Sequence, residues 1–151
     1  MNNLRKIISL LLLSLAVQSC ADEPTCINSY TSLIKLKFVD ENGASEPIII
    51  TSLTALEANS DIYPEYTNDT TSSVNINLNP NEAITTLIFA QPSDSDTIVF
   101  TYDLYPEFIS EECGIFLQFN NLDTLSSTFE NLTIIQPIID EEVATNVEII
   151  N

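Results

Sequence analysis

Ile34-Lys35-Leu36-Lys37-Phe38 sets apolar and charged residues in strict alternation, and Val74-Asn75-Ile76-Asn77-Leu78-Asn79 repeats the pattern with amides. Side chains on a strand point alternately to opposite faces, so a period of two marks strands with one dry and one wet side. Runs rich in β-branched and aromatic residues follow at Ile48 to Leu56, Ile84 to Ala90, Thr97 to Tyr105, Gly114 to Phe119, Thr128 to Ile135 and Val143 to Ile150. Turn-forming clusters separate them: Asp40-Glu41-Asn42-Gly43, Asn79-Pro80-Asn81, Gln91-Pro92-Ser93-Asp94 and Asn120-Asn121. Pro137, between two isoleucine pairs, marks an edge position or a break, because proline cannot donate to a ladder. About eight short strands with this punctuation predict an all-β domain, a single antiparallel β-sandwich, over residues 26–151.

The chain ahead of that domain has a different character. Arg5 and Lys6 precede a run of mostly apolar residues from Ile7 to Val17, and Gln18-Ser19 then leads into Cys20. A charged start, an apolar middle and a small-residue exit describe a secretory signal, and a run this short falls below the roughly 20 residues a membrane span needs. Val17-Gln18-Ser19-Cys20 resembles the lipobox of bacterial lipoproteins, in which the cysteine thiol is alkylated by a diacylglycerol and becomes the new N-terminus. On that reading residues 1–19 are a lipoprotein signal peptide, and residues 20–25 are the lipidated Cys20 with a short acidic tether. Ordinary cleavage near Ser19, leaving a soluble secreted protein, is the other reading of the same residues. Several acyl chains at about 0.8 kcal/mol per buried CH₂ would hold the protein stably on a membrane. Ala21-Asp22-Glu23 looks like the acidic tether that Bacteroidota use to send lipoproteins to the outer face of the outer membrane.

Removal of the signal leaves Lys35 and Lys37 against twenty-two acids, a formal charge near −20. Such a field keeps a domain soluble and repels polyanions, so nucleic acid is not an expected partner. The apolar fraction is too high for disorder, and the length after residue 19 suits one domain with one core. Two glycines, Gly43 and Gly114, cannot make a Gly-rich phosphate loop. With Cys20 lipidated, Cys26 and Cys113 remain, and an envelope location permits them to pair. Loop entropy for so distant a bridge is on the order of 4–5 kcal/mol. Two buried free thiols, packing as small apolar residues, are the alternative.

Several of these stretches resemble one family: small uncharacterised lipoproteins of Bacteroidota, a domain of unknown function. The elements that carry the likeness are Cys26, the strand Leu33-Ile34-Lys35-Leu36-Lys37-Phe38-Val39 ending at Asp40, Phe108-Ile109-Ser110-Glu111-Glu112-Cys113-Gly114 with its Cys-Gly pair, and the closing strand Asn146-Val147-Glu148-Ile149-Ile150. The resemblance implies a β-rich domain behind a lipobox cysteine, and it implies no activity.

No histidine occurs, which removes Ser-His-Asp and Cys-His nucleophiles and histidine-ligated metals. Carboxylate pairs could serve as glycosidase acid and base, but spacing selects none, and tryptophan, a common sugar platform, is absent. The chain is therefore expected to have no catalytic residues and no cofactor. Asp94-Ser95-Asp96 with Asp103 could offer oxygen ligands to calcium, or simply form a turn. Tyr63, Tyr66, Tyr102, Tyr105 and Phe108 could build a sugar- or protein-binding face, or pack inward. Asp69-Thr70-Thr71, Asp96-Thr97-Ile98 and Asp123-Thr124-Leu125 resemble the O-glycosylation sequon of Bacteroidota envelope proteins, at Thr70, Thr97 and Thr124. The expectation is a non-enzymatic lipoprotein of the outer membrane, on its periplasmic or surface side, acting as an interaction or accessory module for an outer-membrane protein. The alternative is a surface module that binds glycan or Ca²⁺.

Overall fold

The computed structural model describes residues 33–56, 62–111, 114–139 and 144–150. Within them the chain is almost wholly extended. Ten strands occur: β1 (Leu33–Val39), β2 (Ile48–Ile50), β3 (Ser52–Leu56), β4 (Asp69–Thr71), β5 (Ser73–Asn77), β6 (Ile84–Ala90), β7 (Ser95–Ser110), β8 (Gly114–Ser127), β9 (Asn131–Ile134) and β10 (Val147–Ile150). One 3₁₀ turn, Pro64–Tyr66, is interposed before β4.

Two four-stranded sheets, ordered β5-β1-β10-β9 and β3-β6-β7-β8, sandwich a core, and β2 pairs with β4 in a small ribbon. The alternation in β1 does what its period demands. Ile34, Leu36 and Phe38 are fully buried, as are Val74 and Ile76 on β5 and Val147 and Ile149 on β10. Facing them are Leu53 and Ala55, Leu87 and Phe89, and Ile98 and Phe100 of the second sheet. Phe38 meets Phe89 edge-on at 5.9 Å, and Phe129 closes the cluster at 5.6 Å from Phe89 and 6.2 Å from Phe38. Each large buried side chain contributes about 1.5–3 kcal/mol through the apolar surface it removes from water.

The strands differ from the sequence expectation in four places. Ile48 to Leu56 is two strands, because the chain changes partners at Thr51, from β4 to β6. Thr97 to Tyr105 and Gly114 to Phe119 are parts of much longer strands of 16 and 14 residues. Asn120-Asn121, which reads as a turn, is instead a bulge inside β8: Asn121 has φ 53°, and the pairing shifts between Thr101 and Asp103. Asparagine tolerates the left-handed region, and its Nδ2 donates to Asp103 Oδ2 at 2.7 Å, which holds the bulge without breaking the strand. The sandwich is also not wholly antiparallel. β10 runs parallel to β1, with Leu36 opposite Val147 and Val39 opposite Ile150, while its other neighbour, β9, is antiparallel.

The remaining turn signals form turns. Asp40 accepts from the backbone N–H of Asn42 and Ala44 at 2.9 and 2.8 Å, and Gly43 at φ 79° supplies the left-handed step. Gln91 N–H donates to the Asp94 carbonyl across the β6–β7 hairpin. Pro137 falls in a break after β9, where its carbonyl accepts from Leu122 N–H and Ile139 N–H donates to the Phe119 carbonyl, so the segment lines the free side of β8.

Candidate functional site

Strand directions give the sandwich two distinct ends. β1 begins at Leu33 opposite Asn77; the Asn79 carbonyl two residues on accepts from Tyr102 Oη at 3.0 Å, and Tyr102 N–H donates to the Ala83 carbonyl. Chain entry into β1, the β5–β6 connection and the middle of β7 therefore meet at one end, and any tether preceding residue 33 leaves from there. Beyond Thr101, the partner of Ile84, β7 has no β6 neighbour among the described residues and continues, paired with β8, as an arm to Ser110.

The opposite end carries a groove of about 370 Å³ lined by Glu41, Asp96, Thr128, Phe129, Glu130, Asn131 and Ile150. Four connections converge to make it: the turn after β1, the start of β7, the β8–β9 loop and the end of β10. Three carboxylates face this space, beside the hydroxyl of Thr128 and the amide of Asn131. Asp96 is held from two sides, Oδ1 accepting from Thr128 Oγ1 and Oδ2 from Gln91 Nε2, both at 2.8 Å. Thr128 Oγ1 in turn accepts from Thr97 N–H at 2.8 Å, and Thr128 N–H donates to the Thr97 carbonyl. This net fixes the groove wall. It can present fixed acceptors to hydroxyl, amine or amide donors; among the described residues no group of three or more acids, cysteines and histidines could hold a metal.

The structure scatters the expected calcium set. Asp94 sits in the hairpin turn, with its Oδ1 accepting from Ser95 N–H. Asp96 lines the groove, whereas Asp103 lies seven residues along β7, roughly 20 Å away. The calcium ligand set Asp94, Asp96 and Asp103 is thus not brought together, because Asp96 lies at the start of β7 and Asp103 at its middle.

Of the glycosylation candidates, Thr70 is exposed at the centre of β4 and Thr97 is half-buried on β7. Thr124 Oγ1 is sealed from solvent and has no hydrogen-bond partner, so a sugar could be joined there only before folding. The tyrosines divide as well. Tyr63 and Tyr102 are buried, Tyr102 packing edge-on to Phe119 with ring centroids 5.2 Å apart. Tyr105 and Phe108 stand exposed on the arm. They do not form one face. Cys20, Cys26 and Cys113, and with them the signal and the bridge, lie outside the described residues.

The groove itself was not legible in the sequence. Its residues come from segments up to 109 positions apart, Glu41 to Ile150, and each looks like ordinary turn or strand-end polarity.

The architecture defines an all-β two-sheet domain with a polar groove at one end and an overhanging hairpin at the other. Residues 50–151 match the family of unknown function DUF6452, and the chain belongs to that family. No curated protein and no solved structure matches it.

Proposed function

We propose that this chain is a non-enzymatic, lipid-anchored component of a bacterial cell envelope, of the small lipoprotein kind found in Bacteroidota, held in the outer membrane through Cys20 and working as an interaction or accessory module. The observation that carries the reading is the polarity of the sandwich: entry to β1 lies at one end and the groove at the other. A domain tethered ahead of Leu33 turns its groove away from the membrane, toward a partner.

Cys26 and Cys113 are assigned as a bridge. In the sequence Cys113 lies between Ser110 and Gly114, where β7 and β8 are joined, and Cys26 lies seven positions before Leu33. A mass increase of two hydrogen atoms on reduction of the purified protein tests it.

The fixed acceptors of the groove also suit the hydroxyls of a glycan, and this is the second reading. A photo-crosslinking side chain at position 130, introduced into the full chain in native envelopes, separates the two. One stoichiometric outer-membrane protein supports the accessory role, and saccharide adducts support glycan binding. Capture of partners from Ile49, exposed on β2, but not from position 130 overturns the groove as the working surface.

A further inference from the structure

Beyond the β6 boundary the arm carries two large apolar side chains open to solvent, Phe108 and Ile115. Phe108 stands directly opposite Ile115, and Pro106 opposite Leu117, so the four share one face of the two-stranded ribbon. Farther in, the same face holds Leu104 and Phe119, where it is still covered: Leu104 packs against the core and Phe119 is 5% exposed. Toward the tip the cover ends, and Phe108 is 65% and Ile115 70% exposed. Tyr105, on the other face, is 59% exposed. Single exposed apolar residues are ordinary on a surface; an exposed cross-strand pair near the tip of a hairpin is a patch with a use.

The position of the patch says what covers it. The arm leaves the sandwich at the end where β1 begins, and twelve residues separate Cys20 from Leu33. The thirteen Cα-to-Cα steps from Cys20 to Leu33 span at most about 45 Å, while the arm from Tyr102 to Ser110 is roughly 26 Å long. A lipid on Cys20 therefore allows the arm tip to reach the bilayer, and the Cys26–Cys113 bridge would shorten the link to the five residues between Cys20 and Cys26. The composition of the arm suits an interface. Phe108 and Ile115 offer adjacent apolar bulk of the kind that inserts between lipid chains. Glu107 and Glu111 beside the patch disfavour anionic lipid and leave zwitterionic headgroups as the matching surface.

We propose that the tip of the β7–β8 arm seats its Phe108–Ile115 face in the bilayer that carries the Cys20 lipid, orienting the domain with its groove outward. This rests on the lipid-anchor reading and deepens it, from a tether that leaves the domain free to tumble to a two-point attachment.

The chain contains no tryptophan, so one introduced residue is a sole reporter. The full chain, lipidated in its host, is reconstituted in phosphatidylcholine vesicles as Phe108→Trp, Ile115→Trp and Leu125→Trp, the last at a site 66% exposed on β8 beyond the arm. The expected result is flotation with the vesicles, a blue-shifted emission at 108 and 115, and severalfold quenching there by brominated phosphatidylcholine, with position 125 unaffected. Using two arm positions keeps the test valid if one variant fails to fold. Flotation with unquenched emission at both arm positions overturns the seated arm and leaves the anchor standing. Failure to float overturns the anchor and the arm together. Crosslinking of the arm in native envelopes to a protein, with no quenching in vesicles, assigns the patch to that protein and overturns the membrane assignment.

Discussion

Tyr63 Oη accepts the backbone N–H of Asn77 at 2.9 Å, on the outer edge of β5. Tyr66 Oη does the same for Asn75, also at 2.9 Å, two residues along the same edge. β5 ends its sheet, and an edge strand with free N–H groups invites pairing with another chain. The 3₁₀ turn at Pro64–Tyr66 folds both rings over that edge, so two hydroxyls substitute for a missing strand.

Removing one of those hydroxyls leaves a β5 N–H without its acceptor. Tyr63→Phe and Tyr66→Phe should each cost about 1–2 kcal/mol in urea denaturation, and the double variant should also show concentration-dependent association by light scattering. Tyr63→Phe with unchanged stability would mean that water serves that edge equally well.

Burial raises the pKa of the Tyr63 phenol above its ordinary value near 10.0, and the hydrogen bond from Asn77 only partly opposes the shift. The folded state thus holds this proton more tightly than the unfolded chain. The resulting stability is complete below pH 10 and is lost as pH rises through the raised folded value. Alkaline melting curves should fall less steeply above pH 10 for Tyr63→Phe than for the unaltered chain.

The backbone N–H of Ala44, and after it that of Asn42, holds the Asp40 carboxyl below its ordinary value of 3.8. A depressed folded pKa stabilises above the unfolded value and loses that stability as pH falls through the folded one. Asp40→Ala should lower the melting temperature at neutral pH and narrow its difference from the unaltered chain at pH 2. Asp40→Asn, whose Oδ1 can accept the same bonds, should recover most of the neutral-pH loss.

Asn146 ties three segments together. Its Oδ1 accepts from Lys35 N–H at 2.9 Å, and its Nδ2 donates to the carbonyls of Gln136 and Ile138, both at 3.3 Å. With the residue 3% exposed, Asn146→Ala should cost about 2–3 kcal/mol. Asn146→Asp should not rescue it, since a carboxylate satisfies Lys35 but faces two carbonyl oxygens. Chemical denaturation of the pair checks both expectations.

Thr124 Oγ1 is buried without a partner. Replacing it by the similarly shaped apolar group in Thr124→Val should raise stability by about 0.5–1.5 kcal/mol, because a desolvated hydroxyl with no bond is a net cost. A drop in stability would place an unseen partner, such as an ordered water, at that oxygen.

The all-β class was legible because it rests on local periodicity: Ile34, Leu36 and Phe38 must share a face wherever β1 packs. Asp40 and Gly43 likewise signalled their turn, since Asx bonding and a left-handed step are properties of neighbouring residues. The net charge of −18 and the absence of histidine bounded the chemistry before any fold was known. Other features depend on which segments meet, a matter of long-range packing that local pattern does not encode. That β10 lies parallel to β1, that Asn121 bulges rather than turns, and that Tyr63 and Tyr66 guard an edge all follow from partners far along the chain or across the sheet. The same holds for the two ends of the domain. Glu41, Asp96 and Ile150 become neighbours, and Phe108 and Ile115 become an overhang, only because sheet order and register set where each strand stops.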